Sequence, residues 1–323
     1  MTKTAIITGV LGQDGSYLAK LLVEKNYQVY GLARKSNMLN LKNLIDLKID
    51  KEIQIVQGDI ADELSTSNLI SKTRPDEFYN LAAQSNANAS WQLPRYTANV
   101  NATGSLTVLE ALRNNHPDCR YFQAGSSDQF GNLSVSPVNE NTVFAPENPY
   151  AVSKLYAYHM TRNYRMGYNM HASNGILFNH ESPVRAENFI MSKIVHGAVR
   201  IKLGQQQHIV MGSIDVVRDW GYAPDFVEAM WAIVQHDTPD DYVVCTGRPA
   251  SFEDLIRITF EYLGFNDWRP YIKIDPTLQR PTEVRVRYGD PAYIKNKLGW
   301  AAKTSLENIL GYMIEQTLRN LAQ

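Results

Sequence analysis

Tyr150 and Lys154 stand four residues apart in Tyr150-Ala151-Val152-Ser153-Lys154. On a helix that spacing puts both side chains on one face. An ammonium beside a phenol stabilises the phenolate and lowers the phenol from its ordinary value of about 10. The pair could then take a proton from an alcohol as a general base. A Tyr and a Lys at this spacing arise by chance about once in a chain of this size, so the pair gains weight only from its position. It follows an apolar run that ends in Gly125-Ser126-Ser127-Asp128, which offers a hydroxyl and a carboxylate.

A second constellation lies at the N-terminus. Thr8-Gly9-Val10-Leu11-Gly12-Gln13-Asp14-Gly15 is a GxxGxxG turn between a β-branched run, Thr4 to Thr8, and a helical pattern. Glycines let the backbone approach a pyrophosphate, and the helix N-terminus adds amide donors and a positive dipole end. Gly9, Gly12 and Gly15, with Gln13 and Asp14 between them, are the candidate phosphate cradle; a plain strand-to-helix turn is the alternative. An NAD site usually has Asp or Glu after the next strand, to hold the ribose 2′-hydroxyl. Here that strand runs into Ala33-Arg34-Lys35-Ser36, with no acid. Arg34 can grip a 2′-phosphate bidentately, so NADP is expected over NAD. A solvated basic loop would look the same.

These residues need a scaffold, and the patterning supplies one. Strands are expected at Thr4 to Thr8, Gln28 to Leu32, Ile53 to Gln57, Phe78 to Leu81 and Tyr121 to Ala124. Helices are expected at Ser16 to Lys25, Glu63 to Lys72, Tyr96 to Asn114 and Tyr150 to Met166. Alternating strands and helices imply an α/β fold, a doubly wound parallel sheet of Rossmann type. After Ile176 the pattern loosens and prolines recur. The expected division is residues 1–176 as the dinucleotide domain and 177–323 as a smaller substrate-binding portion interleaved with the sheet.

The 323 residues carry Lys+Arg 32 against Asp+Glu 33, a net charge of -1. That argues against a nucleic-acid or anionic-membrane partner. No apolar run approaches the 18 or so residues of a membrane span. Cys119 and Cys245 are expected as buried thiols in a reducing, cytoplasmic setting. The seven histidines form no metal-binding pair, so no metal is expected.

The three motifs, in this order and spacing, resemble the extended short-chain dehydrogenase/reductase superfamily. Longer strings resemble one of its families, the GDP-mannose 4,6-dehydratases. They are Gly12-Gln13-Asp14-Gly15-Ser16-Tyr17-Leu18, Tyr79-Asn80-Leu81-Ala82-Ala83-Gln84-Ser85, Asn174 to Pro183, Arg218-Asp219-Trp220-Gly221 and Arg280-Pro281-Thr282-Glu283. The resemblance spans nearly the whole chain. It implies a lyase in which bound NADP takes hydride from sugar C4, water leaves across C5 and C6, and hydride returns to C6. It implies that Tyr150 deprotonates the C4 hydroxyl, that Lys154 supports Tyr150 and the nicotinamide ribose, and that Ser126 bonds the same hydroxyl. Asp128 would work at C5 and C6. Asp59 and Ile60 would border the adenine. Leu81, Ala82, Ala83 and Ser85 would line the cofactor, and His180 and Arg185 would contact it. Asn179, Lys193, Arg218, Arg280 and Glu283 would form the GDP-sugar pocket. An Arg218–Asp219 internal ion pair and an Arg280–Glu283 surface pair are the competing readings. A homodimer or homotetramer is implied, built on the helices of Tyr96 to Asn114 and Tyr150 to Met166.

The chain departs from that family twice. The family usually reads Ser-Thr-Ser-Glu where this chain has Gly125-Ser126-Ser127-Asp128. Asp for Glu shortens the reach by about 1.5 Å, one C–C bond. Similar CDP-glucose 4,6-dehydratases also use Asp but pair it with a neighbouring Lys, where this chain has Gln129. The second departure is Gln84-Ser85-Asn86-Ala87-Asn88, which is smaller and more polar than usual. It makes Ser85 and Asn86 candidate sugar contacts, and keeps GDP-N-acetylglucosamine and GDP-manno-heptose beside GDP-mannose. An NADPH-dependent 4-keto-sugar reductase or epimerase on the same scaffold is the alternative activity. A non-catalytic NADP sensor is disfavoured by the intact Ser126, Tyr150 and Lys154.

Overall fold

The structure is a computed structural model; it describes residues 2–37, 40–133, 136–278, 282 and 284–321. Strands β1 (Thr4–Thr8), β2 (Gln28–Ala33), β3 (Gln54–Gln57), β4 (Glu77–Asn80), β5 (Arg120–Ala124) and β6 (Ala172–Leu177) build most of one sheet. Between them run α1 (Gln13–Glu24), α2 (Lys42–Asp46), α3 (Glu63–Thr73), α4 (Ala87–Gln92), α5 (Pro94–Ala98), α6 (Gly104–Asn115) and α7 (Pro149–Tyr168). The remaining strands are β7 (Asn179–Glu181), β8 (Ile209–Met211), β9 (Val217–Tyr222), β10 (Asp241–Val244), β11 (Pro249–Ser251), β12 (Ile272–Ile274) and β13 (Val286–Arg287). The remaining helices are α8 (Ile190–Lys202), α9 (Ala223–Gln235), α10 (Phe252–Tyr262), α11 (Ala292–Leu298) and α12 (Leu306–Leu321).

The main sheet has seven parallel strands in the order β10-β6-β5-β4-β1-β2-β3. β4 and β6 are buried along their whole length, as expected when helices cover both faces of a parallel sheet. On one face α1 and α9 bury Leu18, Leu22, Phe226 and Met230 against Tyr79 and Tyr242. On the other, α3, α6 and α7 bury Leu69, Val108, Leu112 and Tyr164 against Phe78 and Tyr121. A separate core, with Ile194, Trp220, Phe260 and Ile314, joins α8, α10 and α12 around β9. The expected Rossmann architecture is therefore present. β10, drawn from the second half of the chain, forms one edge of the sheet.

The strand order reverses between β1 and β4, where α/β sheets open their ligand crevice. Thr8 Oγ1 donates to Asn80 Oδ1 at 2.7 Å and accepts from the amides of Leu81 and Ala82. The two strand ends are thereby fixed beside each other. A Cβ on Gly9 would sit 3.0 Å from the Ala82 backbone, and one on Gly15 would sit 2.3 Å from Gly9 O.

The helix expected from Tyr96 to Asn114 runs from Pro94 to Asn115 but is not continuous α. A π turn, Asn99–Thr103, separates α5 from α6. Such turns recur at functional sites. This one carries buried Asn101, whose side chain accepts from Gln84 N at 2.8 Å and donates to Ser153 Oγ at 3.0 Å. Ser153 Oγ in turn donates to Tyr150 O. Asn101 thus ties the Gln84–Asn88 turn to the helix that carries Tyr150. Cys119 and Cys245 are buried and unpaired. No helix among the described residues is long and apolar enough to cross a membrane.

Candidate active site

Two cavities lie along the C-terminal ends of the strands. One, of about 370 Å³, is walled by Gly9, Gly12, Arg34, Asp59, Ile60, Ala82 and Ala83, with Asn37 and Tyr96. Gly9 takes φ +71, a conformation that suits glycine. Its carbonyl accepts from Gly12 N at 2.9 Å, closing the turn at the α1 N-terminus. A side chain at Gly15 has no room, so the turn lies flat over the helix end. These features fit a dinucleotide pyrophosphate. Arg34 is exposed on the cavity wall and hydrogen-bonds Tyr96 OH; Lys35 lies outside the wall. Gln13 is turned inward instead. Its amide donates to His180 O and accepts from Ser182 Oγ, which joins the glycine turn to β7.

The other cavity, of about 420 Å³, gathers Ser126, Asp128, Tyr150 and Lys154 with Asp14, Leu81, Ser85, Asn86, Asn179, His180, Arg185, Lys193 and Arg218. The topology explains the convergence. Ser126 follows β5 and caps a single 3-10 turn, Ser127–Phe130, through a reciprocal bond with Gln129. Asn148 caps α7, whose first two turns present Tyr150 and Lys154. β7 and β9 pair in parallel and bring Asn179 and Arg218 to the same opening.

The electrostatics differ in one respect from the sequence reading. Enclosure in the cavity and the nearby Asp128 carboxylate push Tyr150 up to about 12, against a hydrogen bond from Ser126 that pulls it down. Burial brings Lys154 down to about 8. Lys154 Nζ donates to Ala124 O at 2.8 Å and lies 6.0 Å from the centre of the Tyr150 ring. Lys154 is aimed at the strand end, so its expected lowering of the phenol is not seen in the protein alone.

Next to this group His180 Nε2 meets Asp14 Oδ2 at 2.9 Å. Burial alone would raise the Asp14 carboxyl, but His180 and Arg185 outweigh it and hold Asp14 well below the usual carboxylate range. Burial would likewise lower His180, yet Asp14 raises it. Arg185 Nε stands 3.2 Å from Glu181 Oε2. Asp14 and His180 therefore favour each other's charged forms beside Tyr150.

Also lining this cavity, Lys193 Nζ donates to Val210 O at 2.6 Å, and buried Arg218 donates to Val217 O at 2.8 Å. Asp219, one residue on along the strand, points to the opposite face, where its carboxylate accepts from Thr246 and Gly247. Asn86 caps α4 through Ala89 N. Arg280 and Glu283 lie outside the described residues. One residue escaped the motifs entirely. Arg287, on β13, is buried, lines this cavity and forms an ion pair with Asp128. Only the pairing of β13 with β9 places it there.

A Rossmann sheet whose strand ends bring together serine, tyrosine and lysine defines an extended short-chain dehydrogenase/reductase. Similar folds include a UDP-glucose 4-epimerase from Thermotoga maritima, TM-score 0.87 at 24% identity, covering 98% of this chain and 99% of that one. A dTDP-glucose 4,6-dehydratase from Streptomyces venezuelae has a TM-score of 0.88 at 20% identity, covering 99% and 98%. Residues 6–313 match the GDP-mannose 4,6 dehydratase family. GDP-mannose 4,6 dehydratase 1 of Arabidopsis thaliana is 43% identical over 98% of this chain and 90% of its own length. GDP-mannose 4,6-dehydratase of Sinorhizobium fredii is 40% identical over 99% and 97%. The chain belongs to the GDP-mannose 4,6-dehydratase family.

Proposed function

We propose that the protein is a GDP-hexose 4,6-dehydratase that uses a recycled NADP. The observation that carries this reading is the meeting of Ser126, Asp128, Tyr150 and Lys154 in one cavity that Lys193 and Arg218 also line. The bound nicotinamide supplies a hydride acceptor and then a hydride donor. Tyr150 takes the C4 hydroxyl proton and Ser126 orients that hydroxyl. Lys154, which burial brings down to about 8, supports Tyr150 and the nicotinamide ribose. Asp128 moves protons at C5 and C6. Lys193 and Arg218 face the diphosphate, with Arg280 and Glu283 completing the nucleotide pocket in residues 177–323. Ser85 and Asn86 flank the hexose, which is GDP-mannose or a relative with a C2 acetamido group or a heptose tail.

The test is mass spectrometry of products from a panel of GDP-sugars with catalytic NADP. The expected product has lost the mass of one water, with no net change in reduced cofactor. A product of unchanged carbon skeleton formed with one NADPH consumed per turnover would instead establish the reductase alternative.

Arg34 in the cofactor cavity, and the absence of an acid directly after β2, support NADP over NAD. Arg34→Ala is expected to weaken NADP about 10–100-fold, the worth of one charged hydrogen bond, and to spare NAD. Equal losses for both cofactors in a binding titration would contradict this. Exposed Tyr96 on α5 and Val152, Tyr156 and Met166 on α7 support the homodimer or homotetramer expected from the helices of Tyr96 to Asn114 and Tyr150 to Met166. The unpaired thiols support a cytoplasmic setting.

A further inference from the structure

We propose that Arg287 is a positioning residue for Asp128, holding and charge-balancing the carboxylate that takes the C5 proton. The inference rests on the dehydratase reading and extends it to a residue outside every motif.

The backbone around Asp128 is already fixed. Ser126 Oγ accepts from Asp128 N at 3.2 Å, and Gln129 Oε1 accepts from Ser126 N at 2.8 Å. What remains to be set is the carboxyl group, and Arg287 Nη2 donates to its Oδ1. Side-chain exposure is 6% for Arg287 and 15% for Asp128. A pair so withdrawn from water is costly to break from either side. Arg287 is itself held by register: it sits opposite Arg218 in the β13–β9 pair. Two arginines therefore approach one cavity from adjacent strands. Arg218 donates to Val217 O; Arg287 meets the only carboxylate of the Ser126–Gln129 segment. Arg287 Nε is buried and makes no hydrogen bond among the described residues.

The proton balance gives this pair its use. Asp128 takes the proton from C5, beside the new C4 carbonyl. The C5–H electron pair becomes the C5–C6 π bond, and the C6–O pair leaves with the oxygen. The proton on Asp128 passes to that oxygen, water departs, and the carboxylate is restored opposite Arg287. Hydride then adds at C6. The proton returned to C5 balances the one Tyr150 took from the C4 hydroxyl. One carboxyl group thus cycles between two forms with no second carboxylate in its segment, and a fixed cation returns it to its starting charge.

The test is a double-mutant cycle of Arg287→Gln and Asp128→Asn with NADP bound. Dehydrated product, solvent deuterium entering C5 and GDP-sugar affinity are measured. Arg287→Gln is expected to slow both C5 exchange and dehydration about 10²-fold, the cost of a misplaced catalytic group. GDP-sugar affinity should hold, and Arg287→Gln should have no further effect in the Asp128→Asn background. If Arg287→Gln does not fold, Arg287→Lys carries the test. It keeps the charge without the planar fork and is expected to lose about tenfold. Parent-like dehydration by either folded variant would overturn the proposal, as would equal losses in both backgrounds. A loss confined to GDP-sugar affinity would also overturn it. Failure of the dehydratase reading looks different: the unmodified chain then forms no dehydrated product from any GDP-sugar.

Discussion

Asp128→Asn is expected to stop the reaction halfway. The amide keeps the size of the carboxyl group but cannot carry a proton, and removing proton transfer typically costs 10²–10⁴-fold. Tyr150, Ser126 and Lys154 are untouched, so hydride still leaves C4. Absorbance of the reduced nicotinamide should rise when GDP-sugar is added and should stay up. The bound sugar should be a 4-ketose that keeps its oxygen at C6. Full turnover by this variant would place the elimination chemistry on another residue. Unchanged 4-keto reduction, with no dehydration in the parent, would favour the reductase alternative.

Tyr150→Phe is expected to block the step before that. Without the phenol oxygen the base proposed for the C4 hydroxyl proton is gone, and the loss should again be about 10²–10⁴-fold. The signature is opposite to that of Asp128→Asn: no reduced nicotinamide appears at all, while cofactor and GDP-sugar still bind. Rapid-mixing absorbance separates the two variants in one experiment. A Tyr150→Phe variant that still oxidises C4 would remove Tyr150 from the base role. The same side chain offers a check on its surroundings. With Asp128 neutralised, one cause of the raised phenol is gone, so Tyr150 should titrate lower in Asp128→Asn than in the parent.

Most of the sheet was legible because its strands are short apolar runs between glycine turns and amphipathic helices. β1 has the bounds read from the sequence, and β2 and α3 each run one residue further at their C-terminal ends. α1 begins at Gln13 and not at Ser16, because its first turn is polar and glycine-rich, with no apolar period to announce it. The Pro94–Asn115 helix was legible as a helix, but its π turn was not, since no single residue type demands one. β7 was missed for the opposite reason. Its residues are Asn179, His180 and Glu181, which pattern as a loop, and they form a strand through pairing with β9. The proposed catalytic quartet was visible because tyrosine, lysine, serine and aspartate sit in local motifs. Arg287 has no local signature: only the third dimension sets it against Asp128. That Lys154 reaches Ala124 O was not legible, because helical spacing says which face a side chain occupies and not which oxygen it reaches.

The π turn at Asn99–Thr103 acts as a phase shift. One additional residue in a helix advances every later side chain by about 100°. α5 and α6 can therefore show different stripes of one continuous rod: α5 a partly exposed stripe with Tyr96 over the cofactor cavity, α6 a stripe of Val108, Leu109 and Leu112 locked into the core. Excising a single residue between Asn99 and Thr103 would bring the two stripes into phase. Either Tyr96 would then leave the cavity or the α6 leucines would leave the core. The irregularity works as a coupling between two registers, and its length in residues counts for as much as the side chains it carries.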